Sequence, residues 1–185
     1  MIQGERVVKR YSLRNGKIIM LREGNGDDAK KIIEYIRNVS GESEYLTFGK
    51  GEFNPTIDEE ERFIEGYKQL ENSLFLIAQC EDEIIGCLTF SGGSYSRIEH
   101  YGEFGITVLK KYWGFGIGRR LVEHLIIWAR ECKIIRKINL KVRADNERAI
   151  NLYESLGFMM EGTISRFFYH RDRFYDVHVM GLEIN

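Results

Sequence analysis

The chain has almost no net charge: 27 Lys and Arg stand against 28 Asp and Glu, for a formal value of −1. There is therefore no overall basic field to draw in nucleic acid, and no nucleic-acid partner is expected. Cysteine is scarce and unpatterned. Cys80, Cys87 and Cys132 are odd in number and lack C-x-x-C spacing. The four histidines do not join them in a zinc pattern, so no metal is expected. The three thiols read as core residues. A Cys80–Cys87 bridge between neighbouring strands stays open, although a reducing cytoplasm argues against it. No run approaches the ~18 apolar residues of a membrane span. The leading M-I-Q-G-E-R-V-V-K-R has no secretory apolar core. A soluble, cytoplasmic protein without a membrane partner is the expectation, and no repeat or low-complexity segment interrupts it.

What is present fits one domain over residues 1–185, since 43% apolar content supplies a substantial core. A hairpin over residues 6–21 turns at Asn15-Gly16, with strands at Val7–Leu13 and Lys17–Leu21. Helices follow over Asp28–Asn38 and Asp58–Leu70, the second capped by Asp58. Strands Leu74–Cys80 and Ile84–Phe90 flank a tight turn, and S-G-G-S-Y-S-R forms the next loop. Then come strand Tyr101–Leu109, a long helix Gly116–Cys132, strand Lys137–Arg143 and a helix Glu147–Leu156 closed by Gly157. Two final strands, Phe158–His170 and Arg173–Glu183, complete a mixed α/β (α+β) layout.

One stretch stands out. Val108 to Arg120 reads V-L-K-K-Y-W-G-F-G-I-G-R-R, a strand end leading into three alternating glycines and a helix. Gly114, Gly116 and Gly118 let successive N–H groups converge at the positive helix end, a geometry that binds an anion. Two common phosphate motifs are excluded. A P-loop needs Gly-Lys-Ser/Thr, yet Arg119 and Arg120 follow Gly118; G-x-G-x-x-G would need glycine where Arg119 stands.

The segment Trp113-Gly114-Phe115-Gly116-Ile117-Gly118 resembles the acetyl-coenzyme A loop Q/R-x-x-G-x-G/A of the GCN5-related N-acetyltransferase (GNAT) superfamily. Trp113 replaces the leading Gln or Arg, as in members similar to ribosomal-protein N-terminal acetyltransferases. Asn146 to Phe158, N-E-R-A-I-N-L-Y-E-S-L-G-F, resembles the superfamily segment N-x-x-A-x-x-L-Y-x-x-x-G-F at every named position. The two motifs occur in the right order, and the likeness runs from about Lys17 to the end. It implies the GNAT fold: a mixed, mostly antiparallel twisted sheet of about seven strands with helices on both faces. It also implies a cofactor-binding core over about 101–158, in which the strands on either side of the glycine-loop helix splay apart.

The resemblance further implies an acetyl-CoA-dependent transfer to a primary amine by direct attack. The acceptor is a small amine or a protein N-terminus. A noncatalytic acyl-CoA-binding module of the same fold is the alternative. At neutral pH the amine must lose a proton before attack. Glu103 is the candidate base, with Glu99 and His100 as rivals and a solvent-facing edge glutamate as the plain alternative. Tyr153 matches the tyrosine that protonates the departing thiolate, and it also lies on the core stripe of its helix. Val108 would offer its N–H at a strand bulge to the thioester oxygen, and Val108 and Leu109 would pair with the pantetheine arm. Trp113, Gly114, Phe115, Gly116, Ile117, Gly118 and Arg119 line the expected cofactor site, with Arg120, Lys110 and Lys111 nearby. Asn146 binds the cofactor arm, caps its helix, or does both. The acidic, aromatic loop after the first helix brings Glu42, Tyr45 and Phe48 as acceptor contacts, alongside His100. Dimers are common among such domains, so a homodimer is compatible.

Overall fold

The computed structural model describes residues 7–14 and 16–185. Arg6 and Asn15, on which the hairpin expectation partly rests, lie outside them. The hairpin strands are β1 (Val7–Ser12) and β2 (Ile18–Glu23). Asn25 then caps a short 3-10 turn, Gly26–Asp28, which leads into α1 (Ala29–Glu42). That helix runs beyond Asn38, because Val39 and Ser40 continue its buried face.

Helix α2 (Ile57–Lys68) is capped by Thr56, not by Asp58. The Thr56 hydroxyl accepts from Glu59 N at 3.2 Å, and Glu59 Oε2 accepts from Thr56 N at 2.8 Å. This reciprocal box satisfies two orphan donors where a lone aspartate would satisfy one. Next come β3 (Ser73–Cys80), β4 (Glu83–Gly92), β5 (Tyr101–Val108), α3 (Ile117–Cys132), β6 (Lys137–Arg143), α4 (Glu147–Ser155), β7 (Met159–His170) and β8 (Arg173–Glu183).

The strands form one eight-stranded sheet, one more than expected, in the order β1-β2-β3-β4-β5-β6-β8-β7. Among the described residues its single parallel pairing joins β5 to β6; the other pairings are antiparallel. Alternation along the strands separates two faces. Phe75 meets Phe63 and Tyr67 of α2 on one face. On the other, a Cβ at Gly86 would touch Leu121 and Ile117 of α3, and Phe90 packs edge-on against Trp128 at 5.6 Å. Helices thus cover both faces.

Leu121, Val122, Leu125 and Ala129 of α3 and Leu76, Leu88 and Ile138 of the sheet are fully buried in one continuous core. Cys80, Cys87 and Cys132 are free thiols; Cys87 faces Ile77 across the β3–β4 ladder, out of register with Cys80. Among the described residues no helix is long and apolar enough to cross a membrane.

Candidate active site

The sheet is continuous from β1 to β5 and again through β6, β8 and β7, but its two halves are barely joined. Pairing between β5 and β6 is confined to Tyr101↔Lys137, Gly102↔Ile138 and Glu103↔Asn139. Beyond that rung β5 stays on β4 and β6 stays on β8. The strands part, opening the expected slot along residues 104–108.

The slot-side edge of β5 is lined with donors. Leu109 N donates to Ile85 O at 3.0 Å, and Gly93 N donates to Tyr101 O at 2.9 Å. In an antiparallel ladder bonded and non-bonded residues alternate, so the N–H groups of Ile106 and Val108 point away from β4. They face the slot. No bulge frees them, because the β4–β5 register runs unshifted from Gly92↔Gly102 to Gly86↔Val108. The expectation of a bulge at Val108 is corrected accordingly. Leu109 is corrected too: it is buried and its N–H is already bonded to β4. Ile106, which carries no polar side chain to flag it, takes its place on the slot edge.

The glycine loop follows directly. Gly114 and Gly116 take φ of 87° and 78°, and a Cβ at either would meet nothing within 4 Å. Both glycines border open space in a conformation that side chains disfavour. Gly116 is the N-cap of α3 without a side-chain cap, and the first helical bond is Arg120 N to Gly116 O at 3.1 Å. The N–H groups of Ile117, Gly118 and Arg119 are left for an external acceptor.

Trp113 has a clear task, since its indole N–H donates to Val108 O at 2.8 Å and so ties the loop to the strand. Phe115 and Ile117 pack into the core. The flanking guanidinium groups are engaged elsewhere. Arg119 bonds Ser155 Oγ at 2.6 Å and faces Glu123 at 3.7 Å, while Arg120 lies 3.9 Å over the Tyr11 ring. Arg119 can contribute to the cradle through its backbone. Lys111 pairs with Glu83 at 2.7 Å.

Across the slot, Tyr153 of α4 is buried, with Phe104 and Phe158 edge-on at 5.8 and 5.9 Å. Desolvation pushes its phenol well above the ordinary range. Among the described residues its hydroxyl has no hydrogen-bond partner, yet it is not among the sealed unpartnered atoms, so it keeps contact with solvent. Asn146 accepts from Ala149 N at 3.3 Å and is the N-cap of α4, and the neighbouring Asp145 forks with Arg143.

Glu103 lies on the opposite face from Phe104, with α1 and α2. Its carboxylate meets Lys141 of β6 at 2.6 Å. Gly105 and Thr107 continue that face, and the Thr107 hydroxyl accepts from Tyr35 at 2.8 Å.

The other acceptor-side residues scatter. Tyr45 stacks on Arg143, with the guanidinium 4.5 Å from its ring and 4.1 Å from that of Tyr175. This anchors the loop to the β6–β8 half. Glu42 accepts from Lys110 N at 2.8 Å, which pins α1 to the glycine loop. Phe48 packs on Phe53 at 5.9 Å. His100 is not brought to the slot: it precedes β5 at the end where β5 and β6 are joined, and its carbonyl accepts from Arg136 and Lys137.

A sheet that parts beside an uncapped helix N-terminus defines a class of protein that takes an extended, anionic ligand between its halves. Residues 40–158 match the acetyltransferase (GNAT) family, and the chain belongs to that family. It is 25% identical over 149 residues to spermidine N(1)-acetyltransferase of Vibrio cholerae, covering 80% of this chain and 85% of that enzyme. A GNAT-family acetyltransferase structure from Streptococcus pneumoniae superposes with a TM-score of 0.87 at 30% identity, covering 90% of this chain and 99% of the other. The structure of yncA from Salmonella typhimurium, which holds its cofactor acetyl-CoA, shares the fold with a TM-score of 0.78 at 21% identity, covering 90% and 94%.

Proposed function

We propose that this chain transfers the acetyl group of acetyl-CoA to a primary amine by direct attack within a ternary complex. The observation that carries this reading is the parting of β5 and β6 after Glu103 and Asn139, beside a glycine loop with free helix N–H groups. The residues present fit the cofactor. Gly114, Gly116 and the first N–H groups of α3 would hold the pyrophosphate, and the slot-side N–H of Ile106 on the β5 edge would pair with an amide of the arm. Bound there, acetyl-CoA supplies an acetyl group already activated as a thioester.

The remaining chemistry belongs to the chain. Glu103, held by Lys141, takes the proton from the acceptor ammonium through intervening water, leaving a neutral nucleophile. The Val108 N–H donates to the oxygen on which charge develops. Tyr153 keeps its proton at neutral pH, since burial raises its pKa, gives it to the departing sulfur, and is restored by the second N–H proton that the nitrogen sheds as the amide forms. Among acceptors, the spermidine acetyltransferase relative favours a small amine.

The test is release of free thiol from acetyl-CoA over a panel of primary amines, in wild type and in Tyr153→Phe. Amine-dependent thiol release that falls roughly a hundredfold or more in the variant is expected. Cofactor binding without turnover on any amine would leave a noncatalytic acyl-CoA-binding module.

A further inference from the structure

Glu60 of α2 is only 4% exposed, yet no described residue gives its carboxylate a hydrogen bond or an ion pair. Its buried neighbours in charge are accounted for differently. Asp28 receives both arms of the Arg22 fork, at 2.7 and 2.6 Å. Among the described residues Glu60 has no such cation, and burial raises its pKa. Its oxygens are not among the sealed unpartnered atoms, which are Asn139 Oδ1 and His170 Nε2. The carboxylate is thus recessed but open to solvent.

Its place is on the face of Glu103. Glu60 acts electrostatically on the Cys87 thiol, and Cys87 faces Thr107 in the ladder. From there α2 crosses the sheet to Tyr67, whose hydroxyl meets Ser91 Oγ at 2.9 Å, and Ser91 faces Glu103. Between these two points the floor is bare. A Cβ at Gly105 would touch only Thr89 Oγ1, at 3.8 Å. Cys87 and Ser91 are four strand residues apart, roughly 13 Å along the sheet.

Given the amine transfer proposed above, on which this step rests, we infer that Glu60 binds a second, non-reacting cationic group of the acceptor. A desolvated carboxylate without a protein counter-ion is stabilised by a cation that arrives with the ligand. The reacting nitrogen must be neutral when it attacks, so the charge that stays beside Glu60 belongs to another group. A flexible diamine or polyamine carries such a second group. Glu60 is then a specificity residue.

The test compares 1,6-diaminohexane and spermidine with hexylamine, a chain matched to the first but lacking the second ammonium. Wild type should favour the diamine at least tenfold in kcat/KM, chiefly through KM. In Glu60→Gln that preference should fall to within twofold, while kcat and the KM for acetyl-CoA hold; Glu60→Asp should lie between. Equal use of hexylamine and the diamine by wild type, or undiminished preference in Glu60→Gln, overturns the inference. A second measurement needs neither turnover nor a variant: with coenzyme A present, the diamine should raise the melting temperature of wild type more than hexylamine does. Equal shifts overturn the role of Glu60, whereas absent turnover with unequal shifts overturns only the transferase reading.

Discussion

Tyr153 shows how one side chain serves packing and chemistry at once. Its ring is fixed edge-on by Phe104 and Phe158, while its hydroxyl bonds to no described residue. Tyr153→Phe should therefore change stability by less than about 1 kcal/mol in urea unfolding, since no hydrogen bond is lost. Turnover falls far more. Because burial raises the phenol's pKa, Tyr153 stays protonated past its ordinary value near 10, and any alkaline loss of rate below about pH 10 must come from another group. A rate profile whose alkaline limb vanished in Tyr153→Phe would contradict this.

Asp28 is the structural counterpart. Burial alone would raise its pKa, but the Arg22 fork and the Asn25 N–H outweigh that and hold it below the ordinary carboxylate value. A group whose pKa is lowered by folding stabilises the fold above its unfolded pKa, near 3.9, and loses that contribution as pH falls through the folded value. Asp28→Ala should cost about 3–5 kcal/mol at pH 7, because it removes the carboxylate that both arms of the buried Arg22 fork engage. In urea titrations the gap between wild type and variant should narrow as the pH approaches that acid range.

At the scale of the element, α3 is set by its N-cap. Gly116 is left-handed at φ 78° and ends the loop, which leaves the following N–H groups open. Gly116→Ala adds a Cβ that touches nothing, so its cost is backbone strain of about 1–2 kcal/mol. Should the loop relax to relieve that strain, the N–H groups turn away from the anion. The expected result is a lower melting temperature and at least a tenfold weaker Kd for coenzyme A by calorimetry.

The remaining elements were legible to different degrees. The stripe of α3 and the alternation of β6 placed both within a residue, because each buries one regular face. The cap of α2 differs from the expectation, since Asp58 looks like a cap until the reciprocal Thr56–Glu59 bonds are seen.

For the whole molecule, the decisive feature is a sheet held together at its centre by three parallel rungs. A ligand that pairs with β5 while reaching α4 bridges both halves, so coenzyme A should protect residues 104–108 and 147–155 together from hydrogen exchange. At a hundred times its Kd it should add about 2.7 kcal/mol to stability. Protection confined to the glycine loop would show that the slot is not the binding site.

The sequence by itself determined the order of elements, the glycine turn and the Asn146–Phe158 segment, because helix stripes, strand alternation and positive φ are local demands on neighbouring residues. Only the tertiary structure decided where β5 and β6 part, that Ile106 and not Leu109 shares the slot edge with Val108, and that Arg119 and Arg120 turn away. It alone showed Glu60 recessed on α2 with no counter-ion among the described residues. Those outcomes depend on ladder register and on partners far along the chain, and no local pattern of residues carries either.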